Sequence, residues 1–356
     1  MKNRLMALLS ASVVLLGTSC VDDDPNPIDP IETGATLTAA MGANMANQVY
    51  VDLSEGTLSS VAVNTWEIAF ENEGNGIRTN SAKKVGVAFP ASTSFEEVTS
   101  TSGLVFAYDS EDGDLSTTAL ASWTINQPYV LDLGIDENGN VLGIKKFMIT
   151  SKTSSAVSVI MADLAGTNET SLSINLGDGN FTYFSLISEK TVTVEPASWD
   201  FVLSAVSLRT GAPCVALGGG AKPGVNCDVY RLSTTASINS YAGVTAATDD
   251  PFSTMETNDD PASERNKQTI ESSNFETLAI SDYSDLGASA SGNAIGRGWL
   301  QILAPHSNGI YKVYDFMTYI IKDEDGNFYK LRFLAFKGGD NAENGYPTFE
   351  YELMTE

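Results

Sequence analysis

Apolar and polar residues alternate with a period of two over several short stretches of the chain. The alternation is clear in residues 49–53 and 66–70, and short apolar runs follow at 83–89, 104–108 and 128–133. A period of two places successive side chains on opposite faces of a β-strand, so each stretch predicts a strand. The pattern therefore predicts an all-β protein, mainly antiparallel, with minor helix.

Part of this strand pattern occurs twice. Tyr50 and Trp66 return as Tyr183 and Trp199, both shifted by the same distance along the chain. Units of this length are too long to be solenoid repeats, so the repeat indicates related domains. We predict two tandem β domains, at residues 48–178 and 179–356.

Each unit also contains a predicted β-hairpin. The dipeptides Asn-Gly at 138–139 and Asp-Gly at 325–326 favour a two-residue type I′ turn. The hairpins are farther apart in sequence than the two tryptophans, so the second unit has an insertion between its tryptophan and its hairpin. The extra length falls in residues 233–298, which are rich in Ser, Thr, Asn and Asp. We predict a long loop there, with a short helix near residues 261–272.

Residues 1–19 have the composition of a signal peptide. Lys2 and Arg4 precede an apolar run at 5–16, which is too short to span a bilayer. Small residues then precede Cys20, an arrangement that resembles the lipobox of bacterial lipoproteins, in which the cysteine carries the lipid. We therefore expect a lipid anchor at Cys20, because two or more acyl chains hold a protein stably. The alternative is an ordinary secretory signal followed by a chance cysteine.

Residues 20–47 predict a stalk behind the lipidated cysteine. Three aspartates follow Val21, and the prolines after them keep such a chain extended. An acidic triplet in this position resembles the surface-export signal of some Gram-negative lipoproteins. We therefore expect the protein on the outer membrane, facing the cell exterior. The alternative is a solvated acidic linker.

Cys214 and Cys227 are the cysteines that remain after Cys20. Outside the cytosol, an isolated pair at this spacing usually forms a disulfide, and the glycine-rich segment between them can close the loop. Closure contributes about 3 kcal/mol in the chain-entropy model. A metal site would need further histidines or cysteines nearby in the sequence, and there are none. We therefore expect a disulfide.

The formal net charge of −25 disfavours nucleic acid and anionic lipid head groups as partners. Contact with the membrane is therefore expected only through the lipid anchor. A hydrolytic triad needs a base, and the chain has one histidine and no Gly-x-Ser-x-Gly motif. We predict a binding protein and not an enzyme, although paired carboxylates leave a glycosidase open.

Two turns begin like calcium-binding loops, because Asp136 and Asp323 are each followed by Asp or Asn at alternate positions. The EF-hand pattern also requires glycine at its sixth position and glutamate at its twelfth. Neither turn has these residues. The predicted hairpins explain both sequences, so no calcium is expected.

Several segments together resemble HmuY-like lipoproteins. Residues 66–70 (Trp-Glu-Ile-Ala-Phe) and 77–80 (Ile-Arg-Thr-Asn) look like the N-terminal signature of that family. Residues 296–299, 319–333 and 345–349 are similar to its C-terminal half. The resemblance extends over most of the chain after the stalk. It implies two tandem HmuY-like β domains on a surface-exposed outer-membrane lipoprotein.

The resemblance also implies a haemophore-like function. Members of the family capture haem and pass it to an outer-membrane receptor, so a TonB-dependent receptor is the expected partner. They hold the iron between two axial side chains on loops of the C-terminal half, a histidine pair in some members and methionines in others. A non-catalytic protein with another ligand, such as a glycan, a protein or a different tetrapyrrole, is the alternative.

His306 is the single histidine, so a histidine pair within one chain is impossible. It lies in a predicted turn, and Met255 lies in the acidic insertion, where an apolar side chain is unusual. We name both as candidate axial ligands of haem, because imidazole and thioether both bind haem iron. Trp299 and Tyr311 are expected to wall the macrocycle. The competing interpretation is a solvated histidine without a ligand role.

Overall fold

The computed structural model describes residues 34–209, 230–304 and 310–355, which form antiparallel β-sheets with very little helix. The all-β fold is the one that the alternation of apolar and polar residues predicts. In these ranges, the α-helix α1 has only four residues, Asp282–Asp285. No helix among them is long and apolar enough to cross a membrane.

Among the described residues, twelve strands precede the second tryptophan of the repeat, and eight follow it. The first twelve are β1 (Ala35–Thr38), β2 (Asn47–Asp52), β3 (Thr57–Ala62), β4 (Ile68–Glu71), β5 (Ile77–Thr79), β6 (Gly86–Ala88), β7 (Pro128–Asp132), β8 (Ile144–Lys152), β9 (Ala156–Asp163), β10 (Thr170–Asn175), β11 (Phe181–Ser185) and β12 (Lys190–Val192). The last eight are β13 (Phe201–Arg209), β14 (Tyr230–Ile238), β15 (Thr245–Asp249), β16 (Leu300–Ile302), β17 (Tyr311–Val313), β18 (Thr318–Lys322), β19 (Phe328–Gly338) and β20 (Glu343–Leu353). Single 3₁₀ turns lie at Val63–Thr65, Ser81–Lys83, Leu115–Thr117, Ser240–Ala242 and Ile270–Ser272.

Two five-stranded sheets form the bodies of the two units. Their strand orders are β10-β9-β8-β7-β6 and β1-β20-β19-β18-β15. Two four-stranded sheets, β12-β11-β4-β5 and β14-β13-β2-β3, join these bodies, and β16 and β17 form a small separate pair. Equivalent strands occupy equivalent places in each pair of sheets, so the sequence repeat is a repeat of the fold.

The two units exchange strands. β2, at the start of the first unit, pairs with β13 of the second unit, so that Val51 lies opposite Phe201. β11, at the start of the second unit, pairs with β4 of the first unit, so that Phe184 lies opposite Ile68. Each opening strand therefore completes a sheet of the other unit.

The exchanged strands also supply apolar side chains to the opposite cores. Val49 and Val51 of β2 are buried in the core of the second unit. Phe184 of β11 and Leu186 just after it are buried in the core of the first unit. Burial of one such side chain contributes about 1.5–3 kcal/mol. Neither core is complete without the strand that it receives.

Aromatic side chains join the exchanged strands where they meet. Tyr50 packs edge to face on Trp199, with ring centroids 5.0 Å apart, and Trp66 packs in the same way on Tyr183 at 4.8 Å. Both tryptophans are buried, with 3% and 8% of their surface exposed. Each repeated tyrosine therefore packs on the tryptophan of the other copy, and such pairs add stability beyond area burial.

A buried carboxylate holds each exchanged strand. Glu67 accepts a hydrogen bond from the backbone N–H of Leu186 at 2.7 Å. Asp200 accepts an equivalent bond from the N–H of Leu53 at 2.7 Å. The two acceptors occupy equivalent positions of the sequence repeat, and so do the two donors. A buried N–H without a partner costs about 1–3 kcal/mol, so both contacts stabilise the exchange.

The two carboxylates differ in their charged neighbours. Glu67 forms a fully buried ion pair with Lys83. In the equivalent turn of the second unit, Ala242 takes the place of Lys83. Asp200 instead faces three other carboxylates, those of Asp52, Asp323 and Glu324. Burial raises the pKa of Asp200 to about 7. The three neighbouring carboxylates add to this rise, and the hydrogen bond from Leu53 opposes it.

Residues 233–298 are not one continuous loop, which corrects the prediction. They contain most of β14 and the whole of β15, which pairs with β18. The loop lies between β15 and Ser289, whose backbone pairs with Ala246. A 3₁₀ turn lies within the range predicted as helix, and α1 follows it. The composition misled because the residues of β15 are Thr, Ala and Asp, which are also common in loops.

Both predicted hairpins form, since β7 pairs with β8 and β18 pairs with β19. The predicted type I′ turn is wrong, because Gly139 and Gly326 have positive φ angles but the residues before them do not. The carboxylate of Asp136 explains the difference. It accepts hydrogen bonds from the backbone N–H groups of Asn138 and Asn140 at 2.9 and 2.8 Å, and an Asx-turn of this kind fixes the backbone.

The raised pKa of Asp200 predicts a pH-dependent stability. Below about pH 4 the carboxyl group is protonated in both folded and unfolded chains and contributes no pH dependence. As the pH rises from about 4 to about 7 only the unfolded chain loses the proton, so the free energy of unfolding falls, by up to about 4 kcal/mol.

Asp200→Asn keeps an acceptor for Leu53 without the charge. We expect this variant to match the wild type near pH 4 and to melt at a higher temperature near pH 8. Asp340→Asn, at an exposed position, is the control and should change neither melting temperature. Equal destabilisation by Asp200→Asn at both pH values would contradict the assignment.

The ion pair between Glu67 and Lys83 predicts a second effect on stability. Lys83→Met leaves a buried carboxylate unpaired and should lower the free energy of unfolding by about 3–5 kcal/mol. Glu67→Gln combined with Lys83→Met removes both charges and keeps an acceptor for Leu186, so most of the loss should be recovered. Urea unfolding measures both variants. A double variant no more stable than the single variant would show that the unpaired charge is not the cause.

Candidate functional site

Four of the residues predicted to carry function lie outside the described residues: Cys20, Cys214, Cys227 and His306. The lipid anchor, the disulfide and the histidine ligand therefore stay predictions. Met255 is described, and 36% of its surface is exposed, in a turn after β15. Within the described ranges, no group of three or more His, Cys, Asp or Glu could hold a metal ion.

Arg265 fixes the turn that carries Met255. Its guanidinium donates to both carboxylate oxygens of Asp250, at 3.1 and 2.8 Å, and to the backbone oxygen of Phe252. The N–H of Met255 donates to the same backbone oxygen at 2.9 Å. A planar guanidinium matches a carboxylate with two bonds and loses little freedom in doing so. The backbone at Met255 is therefore held in place although its side chain is exposed.

Aromatic rings bury the Arg265 side chain, which is 4% exposed. Its guanidinium carbon lies 4.7 Å from the ring centre of Tyr314 and 5.4 Å from that of Phe316, within the range of a cation–π interaction. One of its nitrogens lies 3.9 Å from the sulfur of Met317, which is buried. Met317 therefore belongs to the core, and Met255 is the methionine of this region that solvent can reach.

The loop after Met255 contacts the chain that leads to His306. The backbone oxygen of Asp259 accepts a hydrogen bond from the N–H of Ala304 at 2.8 Å. The side chain of Asn266 donates to the carbonyls on either side of Asp259, at 3.0 and 2.8 Å. Met255 lies shortly before Asp259 in sequence, and His306 lies shortly after Ala304. The two candidate ligands therefore belong to chain segments that meet at one hydrogen bond.

The two aromatic residues expected to wall a macrocycle differ in their surroundings. Trp299 is fully buried and stacks on Phe333, with ring centroids 4.0 Å apart. It is a core residue, so that expectation is wrong for Trp299. Tyr311 on β17 is half-buried against Phe336, at 4.8 Å, and Ile310 before it is 41% exposed. Ile310 and Tyr311 thus offer apolar side chains that solvent can reach at the start of β17.

A cleft of about 870 Å³ lies between the two units and was not predicted. The β11–β12 hairpin and the chain after it line one side, the first unit adds Glu71 and Glu73, and the rest of the second unit adds Tyr241 and Glu324. Strand exchange creates the cleft, because it sets the hairpin against the second unit. A cavity of this volume is large enough for a ligand of drug-like size.

A buried polar network lies in the wall of this cleft. The hydroxyl of Tyr183 donates a hydrogen bond to the carboxylate of Glu195. Burial raises the pKa of Glu195, while the hydrogen bond from Tyr183 and the positive charge of Arg78 oppose the rise. Arg78 lies over the ring of Phe181 at 5.0 Å. The network therefore holds one carboxylate in a fixed place at the edge of the cleft.

The two copies of the sequence repeat differ at positions that line the cleft. Glu195 takes the place that Ala62 has in the first copy when the two tryptophans of the repeat are aligned. Tyr241 takes the place of Ala82, in the turn where the backbone hydrogen bonds of the two copies match. A large polar side chain in place of alanine within a repeated fold indicates a role that only one copy has.

A sequence model of one family, described as HmuY protein, matches the chain over residues 44–175 and again over residues 178–351. The chain belongs to the HmuY family. Each of its two units is a separate match, so the protein contains two HmuY-like units in tandem. None of the curated proteins compared with the chain matches it.

Several solved structures are similar to the chain. They include apo PinO from Porphyromonas gingivitis (8% identity, 91% of this chain and 99% of that chain, TM-score 0.28), an HmuY-like heme binding protein from Bacteroides vulgatus (10%, 92% and 99%, TM-score 0.24) and a lipoprotein from Bacteroides fragilis (11%, 93% and 96%, TM-score 0.23). Similarity at this level assigns neither a ligand nor a binding residue to this HmuY-family protein.

The contacts of Arg265 predict how the Met255 turn is stabilised. Arg265→Lys cannot make the paired bonds to Asp250 and should cost about 1–3 kcal/mol. Hydrogen exchange should then become faster in residues 250–266 and stay unchanged in the β7–β8 hairpin. Lys267→Met, which removes an exposed ion pair with Glu264, is the control and should have little effect. Unchanged exchange in Arg265→Lys would show that the turn does not depend on this side chain.

Proposed function

We propose that this HmuY-family protein is a haem-binding lipoprotein of the cell surface. Membership of the family carries the proposal, since capture of haem is the function that the family resemblance implies. The match to both units supports it, because the resemblance then extends over the whole folded part of the chain.

The proposed haem site lies on the second unit, with His306 and Met255 as axial ligands. The hydrogen bond from Ala304 to Asp259 supports this placement, because it joins the chain segments that carry the two residues. The exposed side chain of Met255 supports it as well, since a ligand must present its sulfur to solvent before haem arrives.

The residues present fit haem in chemical type. A thioether and an imidazole are both known ligands of haem iron. The exposed Ile310 and the half-buried Tyr311 would cover part of the macrocycle, and Arg265 would hold the Met255 turn against it. Bound haem would supply the redox-active iron, and the protein would supply only binding and orientation.

We propose further that the protein is anchored in the outer membrane through Cys20 and faces the cell exterior. The predicted stalk of residues 20–47 is too long, because β1 pairs with β20 and Met41 is buried in the core. The acidic residues that precede β1 would hold the two units away from the bilayer, since the net charge of −25 is repelled by anionic head groups. A protein in this position could deliver haem to a TonB-dependent receptor. The order of events would be capture by the second unit, then transfer.

A non-catalytic surface protein with another ligand is the second candidate function. The cleft between the units favours it, because its volume of about 870 Å³ is large enough for a small ligand and Met255 does not line it. The two candidates concern different regions and can be tested separately.

Titration of haem into the mature protein, followed by the Soret band, tests the proposal. We expect saturation at one haem per chain. His306→Ala and Met255→Leu should each weaken binding by roughly tenfold or more and shift the band, because each removes one bond to iron. The absence of any Soret change in the wild type would exclude haem as the ligand.

Met148→Leu is the control for the thioether. Met148 lies half-buried on β8 of the first unit, outside the proposed site, so this change should leave the titration unchanged. Equal weakening by Met148→Leu and Met255→Leu would contradict a role for Met255 as a ligand and would leave family-level haem binding to be located elsewhere.

A further inference from the structure

The described lining of the cleft between the units contains many hydrogen-bond acceptors and no basic side chain. Five carboxylates line it, those of Glu71, Glu73, Asp178, Glu195 and Glu324. Arg78, whose charge acts on Glu195 in the network described above, lies behind the aromatic wall and is not part of the lining. A ligand that fits must therefore donate hydrogen bonds, and it gains further if it carries positive charge.

Aromatic rings of the second unit also stand in this cleft. Phe181 of the exchanged β11–β12 hairpin and Tyr241, in the turn after β14, pack edge to face, with centroids 5.0 Å apart. Tyr241 is 38% exposed, so part of its side chain is open to a ligand. The face of an aromatic ring attracts organic cations. The rings are thus a second feature, independent of the carboxylates, that favours a cationic ligand.

A single metal ion does not fit the cleft. Its carboxylates are among the described residues, and no group of three or more acidic residues in those ranges is close enough to hold a metal ion. Glu71 is the last residue of β4, and Glu73 lies two residues after it. The other three lie in the β10–β11 turn, in the chain after β12 and in the β18–β19 turn. Carboxylates that come from separate parts of the chain suit a ligand whose positive charges are also separated from one another.

We propose that the cleft binds an organic cation with two or more ammonium or guanidinium groups. Glu195 and Glu324, which reach the cleft from different turns of the chain, each receive one charge, and the exposed part of the Tyr241 side chain receives the alkyl chain or a further charge. Such a ligand is either a free polyamine or the lysine and arginine side chains of a basic peptide. Both sources carry positively charged groups along a flexible chain.

The divergence of the two copies supports a site of this kind. The first copy has Ala62 where the second has Glu195, and Ala82 where the second has Tyr241. Duplication alone would give the fold the same features on both sides. The carboxylate and the ring are therefore present on one side of the molecule only, and both line the cleft there.

Isothermal titration of the full mature protein tests the proposal, with spermine and a pentalysine peptide as probes. Glu195→Gln combined with Glu324→Gln should weaken binding by roughly tenfold at low salt, because two opposite charges are lost. Gln at position 195 can still accept the hydrogen bond from Tyr183, so the fold should persist, and circular dichroism would verify this. Tyr241→Ala should weaken binding without any change in charge.

Glu97→Gln combined with Glu169→Gln is the matched control. Both residues are exposed and lie outside the cleft, so this variant has the same net charge as the test variant. It should bind both probes as the wild type does. Binding of spermine alone would identify a free polyamine as the ligand source, and binding of the peptide alone would identify a basic peptide.

Three results would overturn the proposal. The first is that neither probe binds the wild type. The second is that the control variant loses as much affinity as the test variant, which would show that the probes are attracted only to the overall negative charge. The third is that neutral maltotriose binds in the cleft with higher affinity than both probes. None of these results depends on whether haem binds in the Soret titration, since Met255 does not line the cleft.

Discussion

The exchange of opening strands between the two units is the constraint on which the rest of the structure depends. β2 completes a sheet of the second unit, and β11 completes a sheet of the first. The carboxylates of Glu67 and Asp200 each accept a buried backbone N–H group at the end of the strand received. A buried N–H without a partner costs about 1–3 kcal/mol. Strand pairing, core filling and hydrogen bonding therefore all require both units at once.

The sequence predicts the local elements well and their partners poorly. The alternation near Val51 and Ile68 indicates which side chains are buried, but a strand presents the same pattern to either unit, so the exchange could not be predicted. The hairpin at Asn138-Gly139 was predicted because its dipeptide is specific, whereas its turn type depends on the Asp136 carboxylate. The cleft was missed because its walls are distant in sequence and meet only after the exchange.

The differences between the two copies indicate where function lies. The copies agree where the fold requires it, at the Tyr50–Trp199 and Trp66–Tyr183 pairs. They differ at Glu195 and in the loop that Arg265 stabilises, and neither feature is needed for the exchange. Lys83 also has no counterpart, so one junction is neutralised by an ion pair and the other contains a carboxyl group that titrates near neutral pH. The two copies thus share the packing that joins them and differ in their charged side chains and loops.

Disulfide cross-linking tests the strand exchange most directly. Residues that face each other on neighbouring antiparallel strands are about 4.5–5.5 Å apart at Cα, within the range that a disulfide spans. Cysteines at Val51 and Phe201, which face each other across the exchange, should cross-link on oxidation, as peptide mapping by mass spectrometry would show. Cysteines at Val51 and Ile68 would face each other only if each unit kept its own strand, and they should stay unlinked. Cross-linking of the second pair and not the first would contradict the exchange.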